Sequence, residues 1–160
     1  MTADHQQIVK IKLDEKSVVR RNADIEHEQK VAIYDLLDRN QFALCEDPDA
    51  GPFSLHLSIE DNRLIFDIRA EDDEQEYLRL PLPVISFRRI IKDYFHICES
   101  YFSAIKTASP SKIEAIDMGR RGLHNEGTEM LLERLKGKIE TDFDTARRLF
   151  TLICVLHIRG

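Results

Sequence analysis

Two runs of strict alternation constrain the fold more than any other feature of this chain. Phe53–Glu60 and Arg63–Ala70 each alternate apolar with polar residues, and Asp61-Asn62 sits between them. Asp and Asn tolerate the positive φ that a two-residue hairpin turn needs. A side-chain period of two then selects one register. Ile59 faces Leu64, Leu57 faces Phe66 and Leu55 faces Ile68, all on one side. The other side sets Glu60 against Arg63, His56 against Asp67 and Ser54 against Arg69. Opposite charges meet across the strands, which supports that register. A hairpin with one apolar face must bury it against a second layer.

The remaining chain supplies that layer. Val9, Ile11 and Leu13 alternate with Lys10 and Lys12, which predicts a strand over Gln7–Leu13. Asn22 or Asp24 can cap a helix running to about Asn40, with Ile25, Ile33, Leu36 and Leu37 inward. Glu26, Glu28, Asp35 and Asp38 make its solvated face. Phe42–Cys45 reads as a short strand and Asp47–Pro52 as a turn. Glu71–Glu76 is an acidic, solvated connector to a strand marked by Leu78, Leu80 and Leu82. Pro81 and Pro83 place that strand at an edge.

After Ser86 the period changes to that of a helix. An apolar stripe runs from Phe87 through Ile91, Tyr94, Cys98 and Tyr101 to Ile105, the mark of a main core helix. Ser109-Pro110 ends it and starts the next, with Ser111 and Glu114 as a capping box. That next helix runs to about Lys136, distorted or interrupted near Gly119–Gly122, and Gly137 ends it. Thr141-Asp-Phe-Asp144 fits another capping box, opening a segment apolar nearly all round from Ala146 onward, which is a buried helix or ends as a buried strand. The order implies an α+β fold: an antiparallel sheet of about four strands with an N-terminal helix, then a C-terminal layer of about three helices. One domain spans 1–160, with 1–83 mainly sheet and 84–160 mainly helical.

Charge is unevenly spread. The chain of 160 residues carries net −6. Residues 1–80 hold 10 Lys and Arg against 19 Asp and Glu, whereas residues 81–160 hold 13 against 10. The first half is a poor nucleic-acid surface, and the second could hold a small basic patch for an anionic partner. Cys45, Cys98 and Cys154 are too few and too scattered for a disulfide framework. No apolar run reaches a membrane span, and the first residues lack a secretory pattern, so the expected location is cytoplasmic.

The densest chemistry lies in Met118–Gly127. Residues 119–127 hold Gly119, Gly122, Gly127, Arg120, Arg121, His124, Asn125 and Glu126. Arg120, Arg121, His124, Asn125 and Glu126 could clasp a phosphate or carboxylate. The plainer alternative is a helix junction held by ion pairs, such as Asp117 with Arg121. The spacing is neither a P-loop nor a dinucleotide fingerprint. Arg120 falls on the seam between Ile116 and Leu123, so it should be at least half buried and paired with Asp117, Glu126 or Glu114.

Other constellations are incomplete. His56 opposite Asp67 resembles part of a catalytic dyad but is more simply a cross-strand pair. Cys154 and His157 lack two further zinc ligands. Asp47-x-Asp49-x-Gly51 has Ser58 where a calcium loop needs Glu. No metal or cofactor is expected.

Several blocks resemble a small bacterial family catalogued as uncharacterised protein family 0262. They include Ser17–Asn22, Ile25–Glu28, Val31–Leu36, Phe87–Phe95, Ile97–Tyr101, Thr107–Ser111, Ile113–Gly127 and Asp142–Phe150. The resemblance covers nearly the whole chain. It implies a bacterial cytoplasmic protein and supplies no activity or site residues. The favoured reading is a non-enzymatic binding or regulatory protein docking a partner through the helical layer. The alternative is a phosphate- or nucleotide-handling enzyme with Arg120 and Arg121 as clamp, His124 as acid–base and Glu126 as orienter. An RNA-associated protein comes third.

Overall fold

The computed structural model describes residues 4–14 and 23–156. Its elements are β1 (Ile8–Leu13), α1 (Ala23–Asp38), β2 (Phe42–Leu44), β3 (Phe53–Glu60), β4 (Arg63–Ala70), β5 (Glu76–Pro83), α2 (Ile85–Thr107), α3 (Pro110–Leu135), β6 (Ile139–Thr141) and α4 (Phe143–Cys154). The fold is α+β: a four-stranded sheet with helices covering its apolar face.

The hairpin forms in the expected register, with Ile59 opposite Leu64 and His56 opposite Asp67. Asp61 and Asn62 take φ of 50° and 61°, the pair of positive angles that a tight hairpin turn requires. β5 pairs with β4 and lies at the sheet edge, where its prolines leave no ladder bond unmet. The sheet order is β1-β3-β4-β5. β1 runs parallel to β3, so the sheet is mixed, with antiparallel pairing confined to β3, β4 and β5. A parallel pair needs a crossover, and α1 supplies it. Asn40 fastens that crossover. Its side chain accepts from Ile8 N–H at 2.7 Å and donates to the carbonyls of Ile8 and Leu36 at 2.9 and 2.7 Å. One side chain thus closes the end of α1 and docks it to β1.

A second, two-stranded sheet joins β2 to β6, antiparallel. β6 has only three residues and no alternation of its own, so nothing in the sequence marks it. Gln41 N–H donating to Thr145 Oγ1 at 2.9 Å anchors the start of α4 beside it.

The core sits between the sheet and α2, α3 and α4. Phe42, Phe53, Phe66, Phe87 and Phe150 are fully buried in it. α2 buries Phe87, Ile90, Ile91, Tyr94, Phe95 and Cys98. Its stripe ends sooner than the sequence suggests, because Ile105 is 50% exposed. Leu37, expected inward, is also exposed. The stretch 15–22, with the Asn22 cap, and the side chains of Asp24 and Ile25 lie outside the described residues.

Four local expectations are corrected. α3 is one unbroken helix from Pro110 to Leu135, with no interruption near Gly119–Gly122. Packing holds it straight: a Cβ on Gly119 would meet Ile97 of α2 and one on Gly127 would meet the Phe150 ring of α4. The cap of α3 is Ser109, whose hydroxyl accepts from Lys112 N–H at 3.3 Å, with Pro110 in the first turn; Ser111 and Glu114 make no capping box. The acidic connector is not wholly solvated either. Asp73 folds back over the polar face of the sheet and accepts from Lys12 Nζ at 3.0 Å, while its carbonyl accepts from Arg69 at 3.1 Å. α4 is capped one residue later than the Thr141–Asp144 box implies: Asp142 accepts from Thr145 N–H at 2.9 Å, while the Thr141 hydroxyl caps nothing, and the apolar run stays helical to Cys154.

Candidate functional site

A cleft of about 410 Å³ opens where α1, α3 and α4 meet. α1 gives it His27, Glu28, Val31, Ala32 and Asp35. These recur at helical spacing along one flank, so a single helix face makes a whole wall. α3 gives Arg120, Arg121 and His124, and α4 gives Arg147, Arg148 and Thr151. Tyr94 reaches it from α2. Four arginines therefore share the cleft with two carboxylates, Glu28 and Asp35, in a chain that is acidic as a whole.

The arginines are not equivalent. Arg120 has 23% of its side chain exposed and is held on every side. Its Nη2 and Nε donate to Asp117 Oδ1 at 2.7 and 3.2 Å, and its Nη1 donates to Glu28 Oε1 at 3.3 Å. The guanidinium also stacks 4.4 Å from the centre of the Tyr101 ring. Burial works most strongly against its charge, but the hydrogen bond to Asp117 together with the charge interactions with Tyr94, Asp117 and Glu28 outweighs that, and its pKa lies above the usual arginine value. The same bond holds Asp117 below the ordinary carboxylate range. Arg120 is thus a strap between α3 and α1. Arg121 is 58% exposed and reaches the other oxygen of Asp117 at 3.2 Å. Arg148 donates through Nη1 to the Arg39 carbonyl at 3.0 Å, and Arg147 is exposed.

His124 forms part of the lining and is only 7% exposed. Its ring meets Tyr94 and Phe150 edge-on, each with centroids 5.3 Å apart. Its Nε2 lies 2.7 Å from Thr151 Oγ1. With the Thr151 hydroxyl donating to the Arg147 carbonyl at 3.2 Å, Nε2 is the donor to Thr151. That leaves Nδ1 as a bare acceptor, buried and without a partner among the described residues. Burial, followed by the charges of Arg147 and Arg120, lowers the His124 pKa to about 4. The imidazole is neutral at pH 7.

The five candidates of the glycine-rich stretch separate. Arg120, Arg121 and His124 share the cleft, whereas Asn125 and Glu126 are exposed and do not line it. A helix turns 100° per residue, so neighbours of His124 point away from it. His124 and Glu126 do not converge. The residues that sequence reasoning missed are Arg147, Arg148 and Thr151 of α4, together with His27, Glu28 and Asp35 of α1. Glu28 and Asp35 read as a solvated face because nothing local marks the helix that covers them.

The sheet holds no second such cluster. Asp67 pairs with Arg69 at 3.0 Å, while His56 Nε2 contacts Asp73 Oδ1 at 3.1 Å and Ser54 Oγ at 3.2 Å. Both contacts fall on one ring nitrogen, so a proton relay through the imidazole is not built. Hydrogen bonds from Ser54, Lys12 and His56 hold Asp73 below the usual carboxylate range. Cys98 and Cys154 are buried, and burial raises both thiols, Cys98 to about 11. His157 lies outside the described residues, and no group of three potential metal ligands occurs among the described residues. No helix there is long and apolar enough to cross a membrane.

The family model described as Uncharacterised protein family (UPF0262) matches residues 5–159. The chain belongs to that family. Among its relatives, a UPF0262 protein of Paramagnetospirillum magneticum is 64% identical over 97% of this chain and 98% of its own length. One from Azorhizobium caulinodans is 57% identical over 94% of this chain and 93% of its own. One from Bradyrhizobium sp. (strain ORS 278) is 60% identical over 96% and 90%. No solved structure matches.

In this UPF0262 chain, Arg120→Ala should cost about 2 kcal/mol, between an exposed ion pair and a fully buried one. Urea denaturation checks it. A loss of a few tenths would mean that the strap between α1 and α3 carries no stability.

Proposed function

We propose that this UPF0262 protein is a binding protein that takes up an anionic group in the cleft between α1, α3 and α4. The observation that carries this reading is the gathering of Arg121, Arg147 and Arg148 in one concave site, on top of an Arg120 already neutralised by Asp117 and Glu28. Guanidinium forks match phosphate and carboxylate oxygens two at a time. A cleft also strengthens each such contact by limiting solvent. The three free cysteines suit a reducing, cytoplasmic setting.

Thermal shift against nucleotides, phosphorylated metabolites and carboxylates tests the reading. A ligand at 100 times its Kd should stabilise by about 2.7 kcal/mol, which at this chain length raises Tm by about 5–10 °C. Arg147→Gln combined with Arg148→Gln should remove the shift and leave the unliganded Tm nearly unchanged. Absence of any shift across the anionic panel would remove the support for this reading.

A second reading makes the anion part of a partner protein. Tyr34 is 72% exposed on α1, on the same flank as Val31 at the cleft rim. An acidic partner segment would set a carboxylate among the arginines and cover Tyr34. Tyr34→Glu should then abolish capture of that partner without affecting small-anion binding.

A further inference from the structure

The two walls of the cleft carry opposite charge. α1 presents Glu28 and Asp35, and α3 with α4 presents the arginines. Part of that charge is already spent: Arg120 holds Asp117 and Glu28, and Arg121 leans on Asp117. Among the described carboxylates and arginines of the cleft, those in no ion pair are Asp35 on one wall and Arg147 and Arg148 on the other, with Arg121 tied through one nitrogen to Asp117. Asp35 is half-buried and its carboxylate has no ion-pair partner among the described residues. Arg148 uses one nitrogen on the Arg39 carbonyl and keeps the rest of its fork. Opposite charges within 4 Å would pair, and these line one cleft without doing so. Val31, Ala32 and the Tyr94 ring lie among them as apolar lining.

Building on the anion reading, we infer that the ligand is a small zwitterion, an oxyanion clasped by Arg147 and Arg148 with an ammonium group against Asp35. A bare anion satisfies the arginine wall and leaves Asp35 facing it, whereas a molecule carrying both charges on a short methylene spacer satisfies both walls. The volume of about 410 Å³ lies near the small end of ligand pockets, which favours a compact molecule.

Titration calorimetry on the full chain distinguishes the cases with four probes: phosphoethanolamine, inorganic phosphate, β-alanine and acetate. Each zwitterion is compared with its bare anion, and the pair that binds tighter tells phosphate from carboxylate. The expected result is a preference of about fivefold for the zwitterion, the value of one partly exposed ion pair. Asp35→Asn should erase that preference and keep or raise the bare-anion affinity, because it removes a negative charge from the facing wall. Asp35→Ser gives the same readout if the asparagine variant folds poorly. Arg147→Gln should weaken zwitterion and bare anion alike. Equal affinity for zwitterion and bare anion, or a preference that survives Asp35→Asn, overturns the zwitterion while Arg147-dependent anion binding keeps the broader reading. Silence with all four probes overturns the zwitterion, and the nucleotide panel then judges the anion reading by itself.

Discussion

Gly127→Ala is expected to destabilise the protein by about 3 kcal/mol, against its own helix propensity. Alanine in a helix interior normally gains about 1 kcal/mol over glycine. Here the added methyl would lie within the van der Waals shell of three Phe150 ring carbons. Phe150 is fully buried and packs edge-on against His124 and Tyr94, so the ring has no room to retreat. Overpacking of a tight core costs about 1–3 kcal/mol and sometimes more, and separating α3 from α4 would also disturb the His124–Thr151 bond. The other two glycines of α3 serve as controls. A Cβ on Gly119 meets only the Cδ1 end of Ile97, at 2.7 Å, which a rotamer change relieves. A Cβ on Gly122 meets nothing within 4 Å. Gly122→Ala should therefore stabilise by about 0.5–1 kcal/mol. At this size the loss at Gly127 lowers Tm by about 6–12 °C, and calorimetry of the three variants reads the ranking directly. A Gly127→Ala protein as stable as Gly122→Ala would mean that α3 and α4 are not in contact there.

That contrast shows why the glycine-rich stretch was hard to read in the sequence. Three glycines in nine residues weaken a helix locally, and a break near Gly119–Gly122 follows from propensity alone. What overrides it is tertiary: Ile97 and Phe150 come from helices on either side, and neither is marked as a neighbour by spacing. The β3–β4 hairpin was legible to the residue because its partners are adjacent and its period is two. The parallel pairing of β1 with β3 was not, because it depends on a crossover and on Asn40, far from both in sequence. β6 escaped because three residues carry no period. The site divides the same way. Arg120 on the α3 seam could be read as at least half buried and carboxylate-paired, and it is, with Asp117 among the expected partners and Glu28 from α1 added. Placing Glu126 beside His124 failed because helical rotation carries it outward. Nothing in the sequence singles out Arg147 and Arg148, and only the meeting of three helices makes them one wall.

Lowering pH from 6.5 to 4 should remove about 3 kcal/mol of stability through His124 alone, at about 1.4 kcal/mol per pH unit of displaced pKa. The direction follows from which state binds the proton. The unfolded chain protonates this imidazole near 6.5, whereas the folded chain resists until about 4. Between those values the unfolded state holds more protons, so stability is complete above pH 6.5 and drains as pH falls. The cause is structural. A proton on Nδ1 would create a buried N–H with no acceptor among the described residues, in a ring bordered by Tyr94 and Phe150 and near the positive Arg147 and Arg120. Asp117 acts in a different window: its carboxyl is held low by Arg120, so its contribution persists above the ordinary carboxylate pKa and is lost only as pH falls further. His124→Gln keeps an N–H for Thr151 and cannot titrate. It should lose some stability at every pH, because it gives up the ring contacts, yet its profile between pH 6.5 and 4 should be flatter by about 3 kcal/mol. Urea midpoints at pH 7, 6, 5 and 4.5 for the two proteins measure that slope. Parallel profiles would mean that the imidazole takes its proton as readily in the folded protein as outside it, and that Nδ1 has an acceptor or a path to water.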